Sequence, residues 1–348
     1  MTPVNFASDN TAGAHPAILA AIAAAADGRA MPYGADPWTG RLAERFAAVF
    51  EREVAVFPVA TGTAANALAL AALTPPWGSI YCHEAAHIQV DECGAPVLFT
   101  GGAKLVPLAG DAGRLTAEGI GEALARAGFG TVHSVQPAAV SLTQATEAGT
   151  VYRPAEIAAI AAIAHQRGLA MHMDGARFAN AVVSLGASPA DLTWRAGIDV
   201  LSFGASKNGA FAAEAVVFFD RARAEGFEYR RKRAGHLFSK MRLLSAQLDA
   251  YLADDLWLTN ARHANAMARR LADGLAAVPG LALAHPVEAN ALFARMPGPV
   301  IDGLAAAGFR FYRWPDDNAD LVRLVCAYDT READVDALVA GARRLAAA

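Results

Sequence analysis

Cysteine and lysine are both scarce in this chain. Its 348 residues include three cysteines, Cys82, Cys93 and Cys326. They show no paired spacing and cannot all be bridged within one chain, which points to a reducing compartment and a cytoplasmic protein. Only four of the 30 basic residues are lysine: Lys104, Lys207, Lys232 and Lys240. Chemistry that needs a lysine amine therefore has few candidates. Long apolar runs are missing too. Hydrophobic residues make up 54% of the chain and mean hydropathy is +0.25, largely through alanine. Yet the most apolar stretches, 17–26 and 157–164, fall far short of the ~20 residues a membrane span requires. The first ten residues carry neither a basic n-region nor an apolar h-region of a secretory leader. A net charge of -4 without an extended basic run argues against a nucleic-acid binder. The one local cluster, Arg230-Arg231-Lys232-Arg233, reads either as a solvated helix face or as an anion contact.

The length exceeds what one hydrophobic core usually serves, so two domains are expected. Between about 54 and 220, short apolar runs alternate with helical segments, the pattern of an α/β fold with a mostly parallel sheet covered on both faces. Strands are expected over 54–57, 79–82, 97–100, 139–144, 169–173, 200–203 and 215–219. Helices are expected over 63–73, 117–127 and 154–167. The last opens with proline at its first turn and stops at Gly168. Helices over 238–252 and 256–277 then interrupt the alternation. Strands over 291–296, 309–312 and 321–327 and a helix over 331–346 follow. We read a large α/β domain over 1–250, with an N-terminal arm over 1–15, and a smaller α+β domain over 251–348.

Two expected strand ends carry the chemistry. The run Leu169-Ala170-Met171-His172-Met173-Asp174 closes on a carboxylate and continues as Gly175-Ala176-Arg177. The run Val200-Leu201-Ser202-Phe203 is followed by Gly204-Ala205-Ser206-Lys207. In open α/β sheets, ligands bind at the carboxyl ends of the strands. An aspartate and a lysine there suit pyridoxal 5'-phosphate: Asp174 would keep the pyridine nitrogen protonated and Lys207 would form the Schiff base. Each also has a plain reading, as a turn residue and as a loop lysine. Thr61-Gly62-Thr63 lies between a strand and a helix, where backbone amides bind phosphate well, although an ordinary Thr N-cap has the same letters. Arg177 would bind the ring hydroxyl or a substrate carboxylate.

His83-Glu84-Ala85-Ala86-His87 matches the H-E-x-x-H zinc pattern by its letters. That pattern needs both histidines on one helix face and a third ligand. Here Ile80-Tyr81-Cys82 reads as a strand end, and the longer metzincin form fails at Val90 and Cys93. We expect no metal, and we assign His87 to stack flat on the cofactor ring.

With these residues assembled, the chain resembles the threonine aldolase family of aspartate-aminotransferase-like pyridoxal phosphate enzymes, most of all the low-specificity members. The resemblance runs over nearly the whole chain. It includes Ser8-Asp9-Asn10, Tyr33-Gly34-Ala35-Asp36, Thr61-Gly62-Thr63-Ala64-Ala65-Asn66, Ala85-Ala86-His87, the Leu169 to Arg177 segment, Ser206-Lys207 and Val322-Arg323-Leu324-Val325. It implies reversible retro-aldol cleavage of L-threonine, L-allo-threonine and related β-hydroxy-α-amino acids to glycine and an aldehyde. By the same resemblance Lys207 holds the cofactor, Asp174 its ring nitrogen, His87 stacks on the ring, and Gly62 and Thr63 bind the phosphate. Ser8, Arg177 and Arg323 hold the substrate carboxylate. Tyr33 and a basic residue near Lys240 reach a neighbouring subunit's site, which implies a homo-oligomer, a tetramer built as a dimer of dimers. One segment departs from the family. Where many members carry E-N-T-H-N-G, this chain has Gln144-Ala145-Thr146-Glu147-Ala148-Gly149, so the histidine proposed to contact the substrate hydroxyl is replaced by Glu147. His87, His133, Glu147 or a water they orient remain as candidates for the general base. Phenylserine aldol cleavage, another pyridoxal phosphate lyase or aminotransferase reaction, and a zinc hydrolase using His83, Glu84 and His87 are the alternatives.

Overall fold

The computed structural model describes residues 4–314 and 320–347; residues 1–3 of the expected N-terminal arm lie outside this range. The chain begins with β1 (Val4–Asn5), α1 (Pro16–Ala26) and α2 (Pro37–Phe50), then β2 (Ala55–Val59), α3 (Gly62–Leu73) and β3 (Gly78–His83). Two short helices, α4 (His87–Val90) and α5 (Ala95–Thr100), precede β4 (Lys104–Leu108) and α6 (Ala117–Ala125). Next come β5 (Gln136–Thr143), α7 (Pro154–Gln166), β6 (Ala170–Gly175), α8 (Phe178–Leu185), β7 (Val200–Phe203), β8 (Glu214–Phe218) and α9 (Phe227–Arg233). After α10 (Arg242–Leu252) and α11 (Leu256–Ala276) the elements shorten: β9 (Ala282–Leu283), β10 (Ala291–Arg295), α12 (Gly298–Ala306), β11 (Phe309–Arg310), β12 (Tyr312–Arg313), β13 (Leu321–Val325) and α13 (Glu332–Ala346).

The seven strands after β1 form the central sheet, in the order β2-β8-β7-β6-β5-β3-β4. From β7 through β4 every neighbour runs parallel, while β8 is antiparallel to both β7 and β2. Both faces are covered, so β6, β7 and β8 are buried at every residue rather than at alternate ones. Leu201, Phe203 and Val217 enter one core with Phe46, Phe178 and Tyr251. Their chain neighbours Val200, Val216 and Phe218 face the other way, against Leu68 and Phe227. The α/β class read from the sequence is the one observed.

A four-stranded antiparallel sheet, β12-β13-β10-β9, carries a second core with α11, α12 and α13. Helix α11 serves both cores: Trp257 and Ala261 pack into the first, Met267, Leu271 and Leu275 into the second. The N-terminal arm joins the C-terminal elements, since β1 pairs with β11 and Phe6 lies in the second core.

Two expected strands need correction. Residues 97–100 are helical, within α5, and the strand of that region is β4, further along. Pro96 at the first helical turn and left-handed glycines at both ends, Gly94 and Gly101, favour one isolated helical turn. A four-residue apolar run cannot by itself distinguish the two periods. The 309–312 strand is two pieces in different sheets, β11 beside β1 and β12 beside β13.

Candidate active site

The parallel order places the carboxyl ends of β6 and β7 side by side, in register at Asp174 and Ser202 and at Gly175 and Phe203. Two glycines let the loops beyond them close up. A Cβ on Gly204 would lie 2.5 Å from the Ala176 carbonyl oxygen, and one on Gly175 2.8 Å from that of Ser202. Gly204 N–H donates to the Gly175 carbonyl at 3.0 Å. Asp174 and Lys207, 33 positions apart in sequence, consequently line one cleft of about 350 Å³ with Thr61, Gly62, Thr63, His87 and Glu147.

Asp174 is buried and held from two sides. Its Oδ1 accepts from Ala176 N–H at 3.0 Å and its Oδ2 from Asn66 Nδ2 at 2.8 Å. One strand position away from its Met173 neighbour, His172 is sandwiched between Ser141 and Ser202 hydroxyls, each at 2.9 Å. Burial pushes the His172 imidazole down to about 4, so it is a neutral support beneath the aspartate. Lys207 sits in a 3₁₀ turn over Ser206–Asn208. That turn is tied back by Glu214 of β8, whose carboxylate accepts from Ala205 N–H at 2.7 Å and Ser206 N–H at 3.3 Å. Burial pushes Glu214 up to about 7, against the opposing pull of these bonds and of the Lys207 charge.

At the start of α3 the Thr61 hydroxyl accepts from Ala64 N–H at 3.1 Å, and Ala65 N–H reaches the Thr61 carbonyl. The amides of Gly62 and Thr63 are left at the positive end of the helix, and both residues line the cleft. A phosphate site there, a carboxylate for a ring nitrogen and a lysine amine in one cleft form a donor set that fits pyridoxal phosphate.

His87 opens α4. Its Nδ1 lies 2.8 Å from Glu92 Oε1, which raises the histidine's proton affinity against the opposing effect of burial. Asp174 and Glu147 add to the rise, and Lys207 opposes it. His83 and His87 do not share a helix face. His83 ends β3, and its two ring nitrogens meet Gly110 O at 3.0 Å and Ala85 N at 3.0 Å. The zinc reading of this segment fails on that geometry.

Neither Arg177 nor Arg323 lines this cleft, but both feel the charge of Glu147, which does. Arg177 is buried and donates from Nε and Nη2 to Asp9, at 2.8 and 3.0 Å, while Asn290 Nδ2 donates to Asp9 at 3.0 Å. Burial raises the Asp9 carboxyl, but Arg177 outweighs it and holds the group at about 2. Arg323, in the middle of β13, packs over Trp314 with its Nε unpartnered, and burial lowers its proton affinity. Glu147 exerts its field on both arginines and on His87. Ser8 caps the first 3₁₀ turn through Asn10 N–H and stands beside Asp9 rather than on the cleft wall, where Asn10 is found. Tyr33 is half exposed, with Lys232 Nζ 4.5 Å from its ring centroid, and does not line the cleft of its own chain. His133 is exposed in the loop before β5, at the amino end of a strand whose carboxyl end meets Asp174. Eight residues of strand separate it from the cleft, and it drops out of the site. Of the basic cluster in α9, Arg231 is buried over Phe57 and donates to Pro58 O, while its neighbours are exposed.

Asn66, Glu92 and Glu214 line the cleft and Asp9 holds Arg177, although sequence reasoning gave them no role. Asp9 and Asn66 stand inside segments already singled out; the two glutamates carry no local motif.

Residues 5–297 match the beta-eliminating lyase family. A low specificity L-threonine aldolase of Pseudomonas aeruginosa is 49% identical over 326 residues, covering 93% of each chain. Another low specificity L-threonine aldolase, from Pseudomonas sp., is 46% identical over 344 residues, covering 99% of this chain and 98% of its own. The solved threonine aldolase of Leishmania major superposes with a TM-score of 0.93 at 29% identity, over 99% of this chain and 100% of that one. This chain belongs to the threonine aldolases of the beta-eliminating lyase family.

Proposed function

We propose that this protein is a pyridoxal phosphate-dependent carbon–carbon lyase that cleaves L-threonine, L-allo-threonine and related β-hydroxy-α-amino acids to glycine and an aldehyde. The observation that carries the reading is the meeting of Asp174 and Lys207 in one cleft with the Gly62 and Thr63 amides. When bound, pyridoxal phosphate supplies an electron sink for the pair released from the substrate Cα–Cβ bond. The chain's own groups hold and orient. Lys207 carries the cofactor, Asp174 meets its ring nitrogen, Gly62 and Thr63 meet its phosphate, and His87 lies against its ring. Arg323, with its unpartnered Nε, and Arg177 receive the substrate carboxylate, with Ser8 beside them. Asp9 takes Arg177 Nε and Nη2 and so fixes the direction of the remaining nitrogen, Nη1.

His87 and Glu147 are the two groups of the cleft suited to take the β-hydroxyl proton. Glu147 is acidic where a histidine is usual in the family, so it bears on which side chains are accepted at the β-carbon. The working unit is a homo-oligomer, a tetramer with shared sites. Exposed Phe211 supports this: it borders both the cleft and an adjoining apolar groove that includes Lys240. Tyr33 then serves the neighbouring subunit. The setting is cytoplasmic, supported by three free cysteines. No helix among the described residues is long and apolar enough to cross a membrane.

Incubation with L-threonine, L-allo-threonine, L-phenylserine and an amino acid plus 2-oxoglutarate separates the reactions by product. Glycine with acetaldehyde is expected from the first two. Keto acid and ammonia without glycine would instead indicate β-elimination, and a new amino acid would indicate transamination. Sedimentation of the holoenzyme tests the assembly.

A further inference from the structure

Four cleft side chains from separate elements form one hydrogen-bonded chain. Asn66 Nδ2 of α3 donates to Asp174 Oδ2 of β6 at 2.8 Å and to Glu92 Oε1 at 2.8 Å. The same Oε1 receives His87 Nδ1 of α4, also at 2.8 Å. The Glu92 side chain is fully buried, whereas His87 is 30% exposed toward the cleft. Glu92 Oε2 and Asn66 Oδ1 have no hydrogen-bond partner. Everything that compensates the buried Glu92 charge within hydrogen-bond reach therefore arrives at one oxygen. The histidine is the only partner there that can carry a counter-charge.

That geometry decides which ring nitrogen does what. A carboxylate accepts only, so Nδ1 must be the donor, and the neutral ring then carries its lone pair on Nε2. Among the described residues Nε2 makes no hydrogen bond. We infer that Glu92 is a positioning residue for the reaction: it holds His87 as an Nδ1–H donor, so that Nε2 is the atom exchanging a proton with the substrate, and Asn66 links this pair to the carboxylate at the cofactor nitrogen. The inference rests on the aldolase reading and extends it.

The proton balance closes on this pair. The substrate β-hydroxyl gives its proton to His87 Nε2, the Cβ–O bond becomes a carbonyl, and the Cα–Cβ electron pair stays at Cα. The proton held on the ring, with Glu92 as counter-charge, then passes to Cα, which yields glycine and restores neutral His87. The groups facing His87 agree with this role. Burial raises the Glu92 carboxyl against the opposing pull of His87 and Asn66, and Glu92 raises the imidazole. Asp174 and Glu147 act in the same direction on His87, and Lys207 acts against them.

The test uses the holoenzyme, with the His87 ring signals followed by nitrogen NMR against pH. In Glu92→Gln the His87 midpoint is expected to fall by about one pH unit, a tenfold loss of proton affinity, and Nδ1 is expected to lose its fixed proton. The threonine kcat is expected to drop about 10²-fold, with KM little changed and the acid limb of kcat/KM moved to lower pH. Glu92→Asp, which keeps the charge, should recover part of the loss and serves as the check on folding. Adding Glu92→Gln to His87→Asn should cost nothing further. An unmoved His87 titration in folded Glu92→Gln would overturn the inference. So would a moved titration with an unchanged pH–rate profile, because Glu92 would then hold the ring without serving the reaction. Failure of the wild-type protein to cleave threonine is a different result, and would overturn the function itself.

Discussion

Asp9 and Arg177, 168 positions apart in sequence, form a two-point buried ion pair that joins the N-terminal arm to the helix start after the central strand. The arm belongs to the second core through Phe6, and Arg177 stands at the start of α8, two residues beyond the end of the strand that carries Asp174. One contact therefore sets the arm, Arg177 and the carboxyl end of β6 relative to one another.

Removing the acid from this pair strands a buried guanidinium. Asp9→Ala is expected to cost about 3–5 kcal/mol at neutral pH, read from the urea midpoint. With the Asp9 carboxyl held at about 2, below its ordinary 3.8, the stabilisation is full above 3.8 and fades as pH falls through 2. The gap between variant and wild type should narrow over that acid window, by about 2 kcal/mol. A constant gap from pH 7 to 2 would mean that the charge is not responsible.

Glu214 has the opposite sign. Its carboxyl is raised to about 7 from 4.5, so its contribution to stability is present below 4.5 and lost as pH rises through 7. Glu214→Gln is expected to gain on the wild type across that window, by at most about 3 kcal/mol. Denaturation curves at pH 4.5, 6 and 8 read the trend.

Gly204 permits the approach of the Asp174 and Lys207 loops. Gly204→Ala brings a methyl group against the Ala176 backbone, which cannot rotate away. We expect a loss of about 1–3 kcal/mol and weaker retention of the cofactor on dialysis, with the secondary structure by circular dichroism unchanged. Undiminished cofactor retention would show that the loops tolerate separation.

Lys207→Ala is expected to remove the visible absorbance band of covalently held cofactor and nearly all turnover. Asp174→Asn should keep the band, since Lys207 remains, and lose about 10²-fold or more in kcat, because a neutral amide cannot compensate a protonated ring nitrogen. Retained colour and full activity in Lys207→Ala would reject the assignment of the lysine.

Much of this was legible in one dimension. The apolar runs ending at Asp174 and before Lys207 are fully buried strands, and a parallel sheet places their carboxyl ends at one edge whatever lies between. Thr61-Gly62-Thr63 marks a helix start because its amides must find acceptors. The same local logic failed at 97–100, where four apolar residues carry no period long enough to read. His133, near in composition to the other candidates, lies at the wrong end of its strand.

The sequence by itself determined the alternation of strands and helices and the cofactor class, and it singled out Asp174, Lys207 and His87, which the fold brings to one cleft, because these signals depend on neighbours within a few positions. Only the tertiary structure decided that Glu92 holds His87, that Glu214 ties down the lysine turn, and that Asp9 takes two donors of Arg177. A lone carboxylate has no local signature. Its role is set by what it is buried against, and burial partners 5, 9 or 168 residues away are chosen by packing, not by the chain on either side.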